Sequence, residues 1–113
     1  TIGFVCKRTK PYYPIVRLIS AIPNDYINID FMVYALQFMV PTGNGSSIPQ
    51  LTVPMLKNKM IKYPSLSEQQ NIVEKLDALQ EQTKQLEQIY TQKIKKCDEL
   101  KQSILQKAFR GEL

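Results

Sequence analysis

The sequence contains no histidine among its 113 residues. That absence removes the side chain most often used as a general base at neutral pH and as a metal ligand. The only cysteines, Cys6 and Cys97, lie at opposite ends of the chain. Such a pair makes neither a disulfide framework nor the close spacing of a zinc site. Without a histidine partner neither thiol is a candidate nucleophile. Long apolar runs are also missing. The longest, Phe31 to Val40, is interrupted by Gln37 and falls far short of the roughly 20 residues that span a bilayer. No secretory leader is visible, and the chain is read as cytoplasmic.

Acidic groups are scarce in the first part of the chain. Residues 1–67 hold only Asp25 and Asp30, against Lys7, Arg8, Lys10, Arg17, Lys57, Lys59 and Lys62. Two aspartates with no glutamate do not build a nuclease-like magnesium cluster. No glycine-rich loop ends in Lys-Ser or Lys-Thr to cradle phosphate. Pro11-Tyr12-Tyr13-Pro14 does not match the Asn-Pro-Pro-Tyr motif of amino-methyltransferases. These absences predict a chain that is not an enzyme and holds no metal.

What is present is an uneven charge. The formal net charge is +5, and all of it falls on residues 1–67, because residues 68–113 carry eight basic and eight acidic side chains. A net-basic segment suits phosphate, and a charge-mixed one suits protein contact or solvent. Charge alone is equally consistent with a basic domain that is merely soluble.

Along the chain, Ile2 to Cys6 reads as a strand start, with Gly3 at a tight backbone position. Pro11 and Pro14 exclude a helix from the loop between Lys7 and Pro14. The β-branched run Ile15 to Ile22 predicts a second strand, and Pro23-Asn24-Asp25 a turn. Phe31, Tyr34, Ala35 and Phe38 recur at helical spacing, so Asp30 to Met39 is expected as a helix capped by Asn28 or Asp30, with that face in the core. A polar glycine loop spans Pro41 to Ser47. Thr52 followed by Pro54 predicts one helical turn. Lys59 to Tyr63 is expected as a strand ended by Pro64.

From Glu68 to Phe109 there is neither proline nor glycine, and Gln, Glu, Lys and Leu dominate. All favour helix, and about 42 residues at 1.5 Å each give roughly 63 Å. Ser67 with Gln70 has the spacing of a capping box, and Ser65 with Glu68 is a rival one turn earlier. Gly111 is the expected terminator, with Lys107 and Arg110 near the negative end of the helix dipole. Along this helix Ile72, Leu76, Leu79, Thr83, Leu86, Tyr90, Lys93, Cys97, Leu100, Ile104 and Lys107 alternate by four and three. That is a heptad seam, flawed at Thr83 and at both lysines. Ile89, Ile94, Leu105, Ala108 and Phe109 widen it. A head of about 67 residues cannot cover so long a stripe, so a second helix must. Seam spacing leaves parallel and antiparallel pairing open, and also leaves open a generic coiled-coil stalk.

The run Leu100-Lys-Gln-Ser-Ile-Leu-Gln-Lys-Ala-Phe-Arg-Gly-Glu-Leu113 resembles the extreme C-terminus of Type I restriction–modification specificity subunits. Pro64-Ser-Leu-Ser-Glu-Gln-Gln-Asn-Ile-Val73 resembles the Pro-Leu-x-Glu-Gln-x-x-Ile-Val segment that opens their conserved helical region. Gly43 to Leu51 resembles the polar glycine loop near the end of their target recognition domains. The three segments come in the family's order and cover residues 43–113; residues 1–42 match only loosely.

The resemblance implies an α+β fold class: a small mixed α/β recognition-domain fragment over residues 1–66 that binds DNA, and over residues 67–113 a long helix for spacing, dimerisation and docking of a methyltransferase subunit. In the family two such helices pair as an antiparallel coiled coil and hold two recognition domains on a bipartite target in double-stranded DNA. S-adenosylmethionine, ATP and magnesium belong to the modification and restriction subunits. This chain departs from the pattern in having one helical region and a short head. It also opens at Thr1 rather than Met, which makes a fragment the expectation. A second copy would supply the second helix, and the target would then be an interrupted palindrome.

Two stretches are candidates for touching DNA. Lys7, Arg8 and Lys10 with Tyr12 and Tyr13 form a basic–aromatic loop suited to phosphate; a solvated loop whose tyrosines cover core explains it equally well. Asn44, Ser46, Ser47 and Gln50 are small polar groups of the kind that read base edges, although turn chemistry accounts for Asn-Gly-Ser; here the resemblance favours base reading. Lys57, Lys59 and Lys62 either line the same face or are simply solvated. Two competing readings stand beside a DNA-specificity component: a non-catalytic coiled-coil oligomerisation module without independent DNA reading, and an unrelated basic coiled-coil regulator.

Overall fold

A computed structural model describes residues 3–40 and 50–112. Three helices are found among them: α1 (Ile29–Met39), α2 (Val53–Lys57) and α3 (Leu66–Phe109). The chain divides into two compact units, Thr1–Lys75 and Leu76–Leu113.

The α+β expectation is overturned, because no strand occurs among the described residues. The run Ile15 to Ile22 fails as a strand at Val16 and Arg17, whose φ angles of 34° and 58° are left-handed. Two consecutive left-handed residues turn the chain, and an L side chain, above all a β-branched one, rarely adopts them. A strand is stabilised by its ladder. With the middle candidate broken, residues 3–6 and Lys59 to Tyr63 have no neighbouring strand to pair with and remain irregular. Ile2 lies outside the described residues.

The helices form where their local chemistry starts and stops them. Asn28 caps α1: its side-chain Oδ1 accepts from the amides of Asp30 at 2.8 Å and Phe31 at 3.2 Å. Asp30 then sits in the first turn, where a negative charge is favoured. The expected core face of α1 is only part-buried at Phe31, Tyr34 and Ala35, and Phe38 is 92% exposed. Thr52 caps α2 through a 3.5 Å bond from the Met55 amide, and Pro54 occupies the first turn, where a missing N–H costs nothing.

For α3 the earlier start is the one used. The helix begins at Leu66, and Ser65 Oγ accepts from the Glu68 amide at 3.5 Å. It ends as its glycine predicts. Gly111 has φ of 72°, its amide donates to the Ala108 carbonyl at 3.1 Å, and the Glu112 amide donates to Lys107 at 2.9 Å. This is a Schellman ending, satisfying two carbonyls that a helix end otherwise strands. The 44 residues of α3 correspond to about 66 Å of helix.

Burial is concentrated in the first unit. Among the described residues the buried ones are Val40 just past α1, and Gln69 and Val73 one turn apart near the start of α3. Gln69 is wholly inaccessible, and it meets the demand that a buried amide be satisfied. Its Nε2 donates to the carbonyls of Tyr26 at 2.9 Å and Pro64 at 2.8 Å, and its Oε1 accepts from the Asn28 amide at 2.8 Å. The Tyr26 carbonyl is presented by a turn in which the Tyr26 amide donates to Asn24 Oδ1 and the Ile27 amide to the Asn24 carbonyl. In the second unit the seam residues Leu79, Leu86, Tyr90, Cys97, Leu100 and Ile104 are all exposed.

Candidate nucleic-acid interface

The basic loop of the first unit is held at two points. Lys7 Nζ makes a 2.9 Å ion pair with Asp30 Oδ1, the same aspartate that opens α1. Both side chains remain partly exposed, at 38% and 43%, so the pair positions the loop more than it stabilises the fold. Further along, the Tyr12 hydroxyl lies 2.9 Å from Ser20 Oγ. These contacts pin the two ends of the Lys7–Tyr13 stretch. Arg8, Lys10 and Tyr13 lie between or beside the pins and are exposed.

Each pin changes the reading of its residue. Lys7 spends its charge partly on Asp30, so Arg8 and Lys10 are the cations of this loop that carry uncompensated charge toward solvent. The Tyr12 hydroxyl is partnered within the chain, whereas Tyr13 is 92% exposed. An exposed tyrosine beside two cations suits a phosphate backbone, to which it can donate.

The second candidate stretch is described only in part. Asn44, Ser46 and Ser47 lie outside the described residues. Gln50 is exposed. Lys57 ends α2 and Lys59 follows it, both exposed, as is Lys62. Among the described residues no hydrogen bond or ion pair joins these lysines to the Lys7–Tyr13 loop. The lysine at the end of α2 is favourably placed against the helix dipole, which is reason enough for its position there. Groups of acidic, histidine or cysteine side chains able to hold a metal ion are absent among the described residues. No helix among them is long and apolar enough to cross a membrane.

Sequence reasoning missed the residues that hold this region together. Gln69 read as one more good helix former in a glutamine-rich stretch, yet it is the hub between the Tyr26–Asn28 turn and α3. Asn28 reaches the same helix a second time, its Nδ2 donating to Gln70 Oε1 at 3.1 Å, and Gln70 in turn donates to Glu74 at 3.2 Å.

The second unit offers a different surface. Its seam is interrupted by Thr83, but that hydroxyl donates to the Leu79 carbonyl of its own helix at 2.9 Å. Lys93 lies with its ammonium 5.7 Å from the centre of the Tyr90 ring, so its stem runs along the stripe. Neither interruption demands a polar partner.

Comparison with known proteins places these features. The family described as the Type I restriction modification DNA specificity domain matches residues 1–96. A type I specificity subunit of Mycoplasma pneumoniae is 40% identical over 79 residues, covering 70% of this chain and 22% of that protein. A protein of the same organism, described as the C-terminus of a type I specificity subunit, is 39% identical over 79 residues, covering 70% of this chain and 54% of that protein. A third specificity subunit from the organism is 39% identical over the same length, with 24% of it covered. The chain thus spans between about a fifth and about half of the curated relatives it matches. No solved structure matches.

Proposed function

Because the chain belongs to the Type I restriction modification DNA specificity family, we propose that it is a DNA-sequence-specificity component of a Type I restriction–modification complex. The observation that carries this reading is the charge partition: the whole +5 excess sits on residues 1–67, ahead of a charge-balanced helix. A basic head supplies attraction to phosphate, and a neutral amphipathic helix supplies protein contact. Arg8, Lys10 and Tyr13 hold the DNA backbone, with Lys7, Tyr12, Lys57 and Lys59 in support. Asn44, Ser46, Ser47 and Gln50 read bases.

In this reading residues 1–66 form the DNA-binding part and residues 67–113 the spacer. The helix pairs, antiparallel as in the family it belongs to, with a second copy or another conserved helix, and modification and restriction subunits dock on the assembly in the cytoplasm. Methyl transfer from S-adenosylmethionine and ATP-driven cleavage with magnesium are the work of those subunits. This chain contributes position and selectivity, not a reacting group.

A second reading is a non-catalytic oligomerisation module. The small buried centre of the first unit, whose apolar members among the described residues are Val40 and Val73, favours it, because a head with so little packing holds base-reading groups loosely.

Copurification with a Type I modification subunit, followed by a methylation assay on a defined DNA library, separates the two. The specificity reading expects a stable complex and methylation confined to one sequence. A complex without sequence preference, or no complex and no sequence-dependent methylation, leaves the oligomerisation module.

A further inference from the structure

We propose that Arg17 reads a guanine in the major groove, presented from the tip of a clasped turn. This deepens the function proposed above and rests on its DNA-binding first unit. It adds a specificity-determining residue outside the candidate stretches, and it names the base.

The backbone is the first observation. Val16 and Arg17 have φ angles of 34° and 58°, so the turn between Ile15 and Leu18 sets two consecutive non-glycine residues in the left-handed region. Turns of this kind are ordinarily built with glycine, asparagine or aspartate, and a β-branched valine is among the poorest choices. Backbone in so sparsely populated a region persists only where its surroundings fix it, and such residues cluster at functional sites.

The surroundings do fix it. The Tyr12 hydroxyl lies 2.9 Å from Ser20 Oγ, which ties the limb before the turn to the limb after it. Pro11 and Pro14 stiffen the first limb, since each fixes its own φ. Holding a phosphate does not need such restraint. A long side chain does that from a mobile loop, and Arg8 and Lys10 are there for it. Reading a base edge does need it, because the reading group must be held within about 0.5 Å of its place.

Charge and surface say what the tip meets. Arg17 is exposed. The acidic residues among the first 67 are Asp25 and Asp30, and Asp30 is paired with Lys7. Among the described residues no hydrogen bond or ion pair holds the Arg17 guanidinium. Its chain neighbours are apolar and exposed as well: Ile15 at 69%, Val16 at 79% and Leu18 at 67%. Aliphatic side chains beside one cation suit base edges, where thymine offers a methyl group, better than they suit the charged backbone. Guanine follows from the guanidinium. Its parallel N–H donors match O6 and N7 of guanine, and no other base presents two acceptors in the major groove.

The test is the sequence preference of the full chain copurified with a Type I modification subunit, read as methylation of a randomised duplex library. Wild type should methylate one motif that includes a guanine. Arg17→Ala should cut discrimination at that position by at least about fivefold and leave the rest of the motif and the salt slope in place. Arg17→Gln should move the preference there toward adenine. Ser20 is a positioning residue, so Ser20→Ala should weaken discrimination at the same position and no other. Val16→Gly, which adopts the left-handed turn freely, should keep it. Circular dichroism melts near wild type for these variants separate a lost contact from a lost fold. A motif unchanged by Arg17→Ala overturns the proposal and leaves the DNA-reading function standing. A uniform loss over all sequences with a lower salt slope makes Arg17 a phosphate contact and also overturns it. Loss of the modification subunit from Arg17→Ala puts the tip at a protein contact, with the same result. A wild-type complex with no preferred motif overturns the proposal together with the function beneath it.

Discussion

The side-chain oxygen of Gln69 and the backbone amide of Asn28 meet at 2.8 Å, and this bond joins the start of α1 to the start of α3. Asn28 is thereby used in three directions. Its amide serves Gln69, its Oδ1 caps α1, and its Nδ2 reaches Gln70. Within the first unit, where apolar burial is slight, these bonds fix the geometry that packing alone does not.

Gln69→Ala should destabilise the first unit more than any other single truncation of a polar side chain. It leaves the Tyr26 and Pro64 carbonyls and the Asn28 amide without their partner, and a stranded buried group costs about 1–3 kcal/mol. A loss of roughly 2–4 kcal/mol in urea unfolding is expected, since water reaches some of the exposed groups. Gln69→Glu should not rescue it, because a carboxylate faces two carbonyls with no proton to donate. A change below about 0.5 kcal/mol, the range of an ordinary surface substitution, would contradict the role given to this amide.

Asn28→Ala and Asn28→Asp should separate the cap from the tie. Alanine loses both, and cap loss alone costs about 0.5–2 kcal/mol. Aspartate keeps the acceptor that caps α1 and places a negative charge at its N-terminus, losing only the donation to Gln70. Circular dichroism melts should therefore rank wild type and aspartate close together and alanine clearly below.

Gly111→Ala tests the end of α3. A Cβ there meets nothing within 4 Å, so any cost comes from the φ of 72° and not from crowding. About 1–2 kcal/mol is expected locally, visible as faster hydrogen exchange in the last turn with no change in the first unit. Gly111→Asn, which tolerates the left-handed region better, should lie between.

The loop cations should differ in what their loss does. Arg8→Ala and Lys10→Ala should weaken binding to all DNA sequences and reduce the salt slope by about 0.9 for each phosphate contact removed. Lys7→Ala should have a smaller effect on affinity and change stability by less than about 1 kcal/mol, because its ion pair with Asp30 is partly exposed. Asn44→Ala or Gln50→Ala should instead relax the choice at one base pair. Equal effects of Arg8 and Lys7 in a filter-binding salt titration would show that the ion pair does not divide their roles.

Helix starts and stops were legible because they depend on neighbouring residues: Asn28, Thr52, Ser65 and Gly111 each act through bonds to amides or carbonyls within five positions. The length of α3 was legible for the same reason, since proline-free composition is local. The strands were misread because β-branched content signals a fit to a sheet and does not supply one. At Val16 and Arg17 the backbone turned instead. Phe38 was assigned to a core by its spacing, but the surface it would need to cover is not provided among the described residues. Gln69 was illegible because its partners lie up to 43 positions away, and nothing in a glutamine-rich helix marks which amide faces inward. Of the candidate interface, the basic loop was visible as charge, whereas the division of labour between Lys7 and Arg8 required knowing where Asp30 sits.

If the head reads sequence and its helix pairs with a second copy, as proposed, one direct demand on DNA follows. When the chain is produced with a Type I modification subunit in cells lacking other methylation, base-resolved mapping of the genome should reveal one new methylated motif. Its two half-sites should be identical, inverted and separated by a fixed gap. Absence of any new motif, or a motif with two different halves, would contradict the account.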